Sequence, residues 1–121
     1  MEFRKLGLVE RKFAELVWQN APLSTKALVS LCEKELGWKR TTTYTVLKKL
    51  CGEGLFFTEN SRVSVKITKE EFDAMQSEDF VKGNFGGSLP AFIAAFTSRQ
   101  ALIAEELDEI RRMIDRYQGG N

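Results

Sequence analysis

Residues 39–50 of the chain, KRTTTYTVLKKL, concentrate hydroxyl groups and positive charge in one short stretch. Short hydroxyl side chains hydrogen-bond phosphate oxygens or touch base edges and thymine methyl groups, and lysine or arginine neutralises phosphate charge. The chemistry open to this stretch is therefore the binding of a polyanion such as nucleic acid. Threonine is also common at helix starts, where it caps the first turn, so the residue types alone leave both interpretations open.

The apolar residues of this stretch have helical spacing, which predicts the side that faces solvent. Val46, Leu47 and Leu50 form one helical face, with Thr43 on the same side. A helix over about residues 41–51 then presents the polar residues outward. The candidate DNA-contacting residues of this helix are Arg40, Thr41, Thr42, Tyr44, Thr45, Lys48 and Lys49.

Two earlier helices and a later hairpin must position this helix. Helical spacing predicts a helix over residues 8–18, and a second begins after a Ser24 or Thr25 cap and stops at Gly37. The short turn between the second and third helices indicates a helix-turn-helix. Strand-forming and turn residues over 55–67 predict a β-hairpin wing, which carries Arg62 as a further DNA-contacting residue. This pattern predicts a winged helix.

The C-terminal part reads as three more helices. Thr68 and Glu71 form a capping box at the start of helix four, which Gly83, Gly86 and Gly87 are expected to break. Ser88 is predicted to cap helix five, and helix six is expected from about residue 98 to 117. The predicted fold class is mainly α with a small β-hairpin, consisting of an N-terminal winged helix-turn-helix domain and a C-terminal three-helix dimerisation region.

Apolar residues of helix six recur at intervals of four, three, four and three, the period of a coiled-coil seam. Too little chain remains to cover them, so a single copy should expose an apolar stripe that a second copy would bury. The predicted dimer interface consists of Leu89, Phe92, Phe96, Ile103, Leu107, Ile110, Ile114 and Tyr117.

The net charge of +1 conceals a division of charge along the chain. Residues 1–67 contain twelve Lys and Arg against seven Asp and Glu, a net of +5, whereas residues 68–121 contain six against ten, a net of −4. The first part suits a polyanionic partner and the second does not. We therefore predict a DNA-binding domain over 1–67 and a helical dimerisation region over 68–121.

The sequence argues against catalysis and metal binding. It has no histidine, and Cys32 and Cys51 are too far apart for a zinc knuckle, so no catalytic residue, metal site or cofactor is predicted. Both cysteines are expected to be small buried side chains of a protein in a reducing compartment. A charged N-terminal stretch and the lack of a long apolar run predict a cytoplasmic protein without a membrane segment.

Several segments, in this order, resemble the penicillinase repressor family of bacterial winged-helix repressors. The resemblance rests on Trp18 with Pro22-Leu23-Ser24, Trp38 through Leu50 with Gly54-Leu55, Phe85-Gly86-Gly87-Ser88, and the last helix. It implies a homodimer on an inverted-repeat operator, with helix three in the major groove. The positions that match the family's DNA contacts are Thr41, Thr42, Tyr44, Thr45, Lys48 and Arg62.

The chain departs from the family pattern in three respects. Tyr44 stands where the antibiotic-resistance members have a basic residue, and the wing has Val63 and Val65 where relatives commonly have aromatic residues, so the resemblance implies a different operator sequence. The other two departures concern regulation. The resemblance places Ala95-Phe96 where antibiotic-resistance members carry a protease-sensitive Asn-Phe bond, and the C-terminus lacks the cysteine cluster of copper-responsive members. The predicted partners are a double-stranded DNA operator and a second copy, with an unidentified inducer or sensor protein as a further partner. The competing hypothesis is a winged-helix module that binds a protein instead of DNA.

Overall fold

The computed structural model describes residues 6–117, and it is mainly helical with one small antiparallel sheet. The mainly α fold class with a winged helix is confirmed. The elements in chain order are α1 (Leu8–Asn20), β1 (Leu23–Ser24), α2 (Thr25–Leu36), α3 (Arg40–Gly52), β2 (Phe56–Glu59), β3 (Arg62–Val65), α4 (Lys69–Phe85), α5 (Leu89–Arg99) and α6 (Ala104–Tyr117). None of the helices within residues 6–117 is long and apolar enough to span a membrane.

The residues predicted to cap α2 and to start α4 do so in the structure. The Ser24 hydroxyl accepts a hydrogen bond from the Ala27 amide at 3.0 Å, and Gly37 closes α2 with a left-handed φ of 68°. At the start of α4, the Glu71 amide donates to the Thr68 hydroxyl at 3.0 Å and the Thr68 amide donates to the Glu71 carboxylate at 2.9 Å. This reciprocal pair is the predicted capping box.

The sheet contains one strand that the sequence did not predict. β3 lies between β2 and the two-residue β1, with Leu23 opposite Val63 and Phe56 opposite Val65. A strand of two residues is too short to show alternation, so β1 left no sequence signal. The β2–β3 turn has positive φ at Asn60 (52°) and Ser61 (59°), as a tight hairpin turn requires.

The core of the winged domain lies where α1, α2 and α3 meet the sheet. Its fully buried side chains include Phe13, Val17, Leu28, Leu50, Phe56 and Val63. Trp18 packs against this core and donates from Nε1 to the Ile67 carbonyl at 3.0 Å, which attaches the end of the wing to α1. Cys32 is buried as predicted, and desolvation raises the pKa of its thiol. Cys51, which was also expected to be buried, is only half-buried in the last turn of α3.

Two predicted boundaries in the C-terminal part are wrong. Helix α4 continues through Gly83 to Phe85, since one glycine inside a helix costs only about 1 kcal/mol. Gly86 and Gly87, which have positive φ, end it. Ser98 does not begin the last helix, because its hydroxyl donates to the Ala95 carbonyl and so continues α5. Helix α6 begins at Ala104 instead.

The chain divides into two compact units, the first extending to Asp79 and the second beginning at Phe80, within α4. The functional division at residues 67 and 68 stays a prediction. In the second unit, the rings of Phe80, Phe85, Phe92 and Phe96 form a chain of edge and tilted contacts with centroid separations of 5.6 to 6.3 Å. These contacts hold the end of α4 against α5.

Arg11 joins α1 to α4 within the first unit. Its Nη1 and Nη2 atoms donate to the two carboxylate oxygens of Asp73 at 2.8 and 3.3 Å, and Nε donates to Glu15 at 3.0 Å. The guanidinium also lies 5.4 Å from the ring centre of Trp18 and 5.9 Å from that of Phe72. A planar fork with two parallel bonds is the strongest geometry for an arginine–carboxylate pair.

We predict that Asp73→Asn lowers the free energy of unfolding at pH 7 by about 0.5–1 kcal/mol, the upper range for a partly exposed pair. The hydrogen bond from Arg11 lowers the pKa of Asp73, so the stabilisation is present above the unfolded carboxyl pKa of about 3.9 and is lost as the pH falls through the folded value. Urea unfolding at pH 7 and near pH 3 measures the difference.

The wild-type and Asp73→Asn proteins should therefore converge in stability in acid. Glu78→Gln is the matched control, since it removes an exposed carboxylate from the same helix. If acidification lowered the free energy of unfolding equally in the wild type and in Asp73→Asn, the ion pair between Arg11 and Asp73 would contribute nothing to stability.

Candidate nucleic-acid interface

Helix α3 has one buried face and one exposed face. Thr43, Leu47 and Leu50 are buried, and Val46 is half-buried on the same side. This confirms the predicted core face of the helix. The exposed residues of α3 include Arg40, Thr41, Thr42, Tyr44, Thr45, Lys48 and Lys49.

The turn before α3 holds its first residues against the domain. The amides of Gly37 and Trp38 donate to the Glu33 and Cys32 carbonyls at 3.1 and 3.3 Å, which closes the end of α2. The Trp38 ring then stacks on Phe13, with centroids 5.6 Å apart and planes inclined by 15°. The short turn between α2 and α3 is thus held against α1 by the contact of half-buried Trp38 with buried Phe13, and two helices joined by so short a turn form a helix-turn-helix.

The threonines of α3 are not caps of the helix. The N-cap residue is Lys39, which makes no side-chain cap hydrogen bond, and the threonines lie inside the first turns. The capping interpretation of the sequence is therefore wrong. Thr45 donates its hydroxyl proton to the Thr41 carbonyl at 2.9 Å, which leaves its methyl group and oxygen lone pairs for an outside partner.

The start of α3 carries positive charge where a helix normally prefers negative charge. Lys39 and Arg40 occupy the first positions, and no acidic residue lies in the first turn of this fully described helix. The positive end of the helix dipole disfavours this arrangement unless an anion lies opposite. The Arg40 guanidinium lies 5.5 Å from the centre of the Tyr44 ring, so the arginine runs along the exposed face.

The wing adds residues on either side of its turn. Arg62 is exposed at the start of β3, opposite Glu59, and its Nη2 donates to the Pro22 carbonyl at 3.4 Å. Two further wing residues lie beside α3: Lys66, whose positive charge together with that of Arg62 already favours DNA binding from the sequence, and Phe57, which sequence reasoning missed. Phe57 is 42% exposed on β2, and Lys66 lies with Lys48 along the cleft between the wing and α3. Strand alternation could have found Phe57, because Phe56 beside it faces inward.

The structure does not bring Lys49 together with the other candidates. Its ammonium forms an ion pair with Glu10 on α1, so it fastens α3 to α1. The two residues are far apart in sequence, and nothing in the local pattern distinguished Lys49 from Lys48. Lys48 makes no ion pair or hydrogen bond among residues 6–117 and is exposed.

The second unit exposes the predicted apolar residues. We call Ile103, which directly precedes α6, together with Leu107, Ile110, Ile114 and Tyr117 on the helix the apolar seam of α6. All five are exposed, Ile114 at 64% and Tyr117 at 74%. On α5, Leu89 and Phe96 are exposed and Phe92 is half-buried. The dimer interface over these residues stays a prediction, which their exposure in one copy permits.

The comparisons with known proteins bear on the family of the chain. No curated protein matches the chain. The family model described as penicillinase repressor matches residues 6–116. This family consists of transcriptional regulators, which are typically dimeric, and not of enzymes. Since the match covers both units and nearly all of the 121 residues, the chain belongs to the penicillinase repressor family of DNA-binding transcriptional repressors.

Proposed function

We propose that the chain is a homodimeric repressor that binds an inverted-repeat operator, with α3 in the major groove and the wing against the neighbouring backbone. The observation that carries this proposal is the exposed face of α3. Its hydroxyls and cations are held outward by a buried apolar face, and its positively charged start lacks a side-chain cap. A helix of this kind supplies both phosphate contacts and base contacts.

The side chains differ in the contacts they can make. Arg40, Thr41 and Lys48 are placed to neutralise or hydrogen-bond phosphates near the start and middle of α3. Thr42, Tyr44 and Thr45 offer hydroxyls and methyl groups to base edges, and Thr45 favours a methyl contact because its proton is used within the helix. Arg62 contacts the backbone from the wing. Lys49 makes a smaller contribution, since Glu10 already compensates its charge.

Two copies would meet through the second unit. The apolar seam and the exposed apolar residues of α5 are side chains that association can bury, and a second copy presents the same residues. Two-fold symmetry of the dimer then matches two half-sites in inverted orientation. Linking two half-site contacts raises the affinity for the whole operator far above that of one domain.

Fluorescence anisotropy with a labelled duplex from upstream of the chain's own gene tests the proposal. We expect two copies per duplex, a preference over a scrambled duplex, and an affinity that falls steeply with salt as counterions are released. An affinity that is the same for the scrambled duplex and does not change with salt would contradict the proposal. Absent DNA binding together with a co-purifying protein partner would favour the protein-interaction alternative.

We predict that Lys48→Ala reduces the salt slope of operator binding by about one, the expectation for one lost phosphate contact. Lys49→Ala, an identical change at the adjacent residue, should leave the slope nearly unchanged and instead lower thermal stability slightly, because it breaks the ion pair with Glu10. The salt series measures the slopes and thermal unfolding measures stability. If Lys48→Ala and Lys49→Ala changed the salt slope of operator binding equally, the proposal that only Lys48 contacts phosphate would be refuted.

A further inference from the structure

A cleft of about 480 Å³ lies between α3 and the wing of the first unit. Leu47 and Phe56, which are nearly fully buried, contribute to its floor. The rings of Tyr44 and Phe57, 36% and 42% exposed, line it nearer to solvent. This volume lies within the range of small-molecule sites, and apolar walls with a few polar groups are their usual lining.

The polar groups of the cleft are of two kinds. The Cys51 thiol and the Thr58 hydroxyl meet at 3.8 Å across the junction of α3 and β2, and both line the cleft. Lys48 from α3 and Lys66 from the wing are the charged residues of the lining, and both are cations. Among residues 6–117, no acidic side chain lines the cleft to compensate them. The walls therefore combine aromatic surface with uncompensated positive charge.

We propose that this cleft binds a small aromatic carboxylate and that its occupation competes with DNA. The aromatic body covers the apolar wall beside Phe57 and Tyr44, and the carboxylate lies between the ammonium groups of Lys48 and Lys66. The phosphates of a DNA backbone can pair with the two lysines, but the backbone has no aromatic group that would cover the apolar wall. A free aromatic anion matches both properties of the lining, which is why it is the occupant that the cleft favours.

The competition with DNA rests on the proposed function, whereas binding of the anion does not. Lys48 and Tyr44 belong to both the cleft and the exposed face of α3, so one ligand engages groups that the other needs. By thermodynamic linkage, an anion that weakens DNA binding is itself weakened by DNA to the same degree. Binding of the anion in the cleft would thus lower the affinity of the repressor for DNA directly at its DNA-binding surface.

Amide NMR titration of the full-length protein without DNA, using indole-3-acetate as the probe, tests the binding step. Indole-3-acetamide, which has the same shape and no charge, is the matched comparison. We expect shifts concentrated at Cys51, Phe57, Thr58 and Lys66, and an affinity about tenfold higher for the acid than for the amide, because only the acid forms charge-assisted bonds. Lys66→Gln should remove that preference, and Lys12→Gln on α1 should retain it.

The outcomes separate the proposal from its alternatives. No shifts at the cleft at millimolar probe, or equal affinity for acid and amide, overturns the proposal, as does an unaltered preference in Lys66→Gln. A second titration adds the operator duplex at saturating indole-3-acetate, and we expect at least a severalfold loss of DNA affinity. If the anion binds the cleft and DNA affinity is unchanged, the competition is refuted. If the protein has no operator affinity at all, the proposed function fails while the cleft result stands.

Discussion

Replacing Leu107 and Ile110 together by aspartate will convert the chain to a monomer and lower its affinity for a two-half-site operator by about a hundredfold or more, the usual gain from linking two binding modules. Both residues belong to the apolar seam of α6, and both remain exposed in one copy. Two carboxylates in the centre of the seam would have to be buried without a partner on association, which is strongly unfavourable. Sedimentation velocity gives the mass, and anisotropy gives the affinity.

The matched control is Arg112→Ala with Arg116→Ala. This pair lowers the net charge by the same two units, but it changes residues of α6 outside the seam. The control should remain dimeric, and its operator affinity should stay close to that of wild type. An aspartate variant that stays dimeric, or a monomer that binds the operator as tightly as wild type, would show that the seam is not what links the half-sites.

Arg40→Glu with Lys48→Glu will reduce operator affinity by about a hundredfold or more at physiological salt, since it removes two cations and opposes two phosphates with new negative charge. The change should leave the fold intact, because both side chains are exposed and α3 is held by its opposite face. The start of α3 should even be more stable with an acidic residue, as the helix dipole favours it. Anisotropy over a salt series and thermal unfolding measure the two effects.

Lys12→Glu with Lys82→Glu controls for the overall charge. It makes the same net change at exposed positions on α1 and α4, which belong to neither α3 nor the wing. We expect this control to bind the operator with at most a severalfold loss from long-range electrostatics. If the two double variants lost affinity equally, net charge alone would explain the binding and α3 would have no special role.

The local elements of the fold could be predicted because each has a physical signal of a few adjacent residues. Ser24 and Gly37 delimit α2, Thr68 and Glu71 start α4, and the spacing around Leu47 identifies the buried face of α3. The end of α5 could not be predicted, because a serine hydroxyl can cap the next helix or bond back to its own. Ser98 bonds back to the Ala95 carbonyl.

The candidate site was predictable in its exposed residues but not in their partners. The pattern of α3 gave the outward face correctly, yet it could not separate Lys48 from Lys49. That distinction depends on Glu10, a residue 39 positions away that approaches only when α1 packs on α3. Arg11 and Asp73 are coupled over 62 positions in the same way. The cleft beside Phe57 likewise exists only once the wing has folded next to α3.

The most direct test of the central claim is selection of duplexes from a random-sequence pool by the wild-type protein and by Thr45→Ala. We expect the selected duplexes to contain one short sequence twice in inverted orientation, with centres separated by about a whole number of helical turns. Thr45→Ala should relax the preference at the same position of both half-sites, since one residue of each copy contacts each half. Selected duplexes with a single or directly repeated site, or an unchanged preference in Thr45→Ala, would contradict a dimer that recognises an inverted repeat through α3.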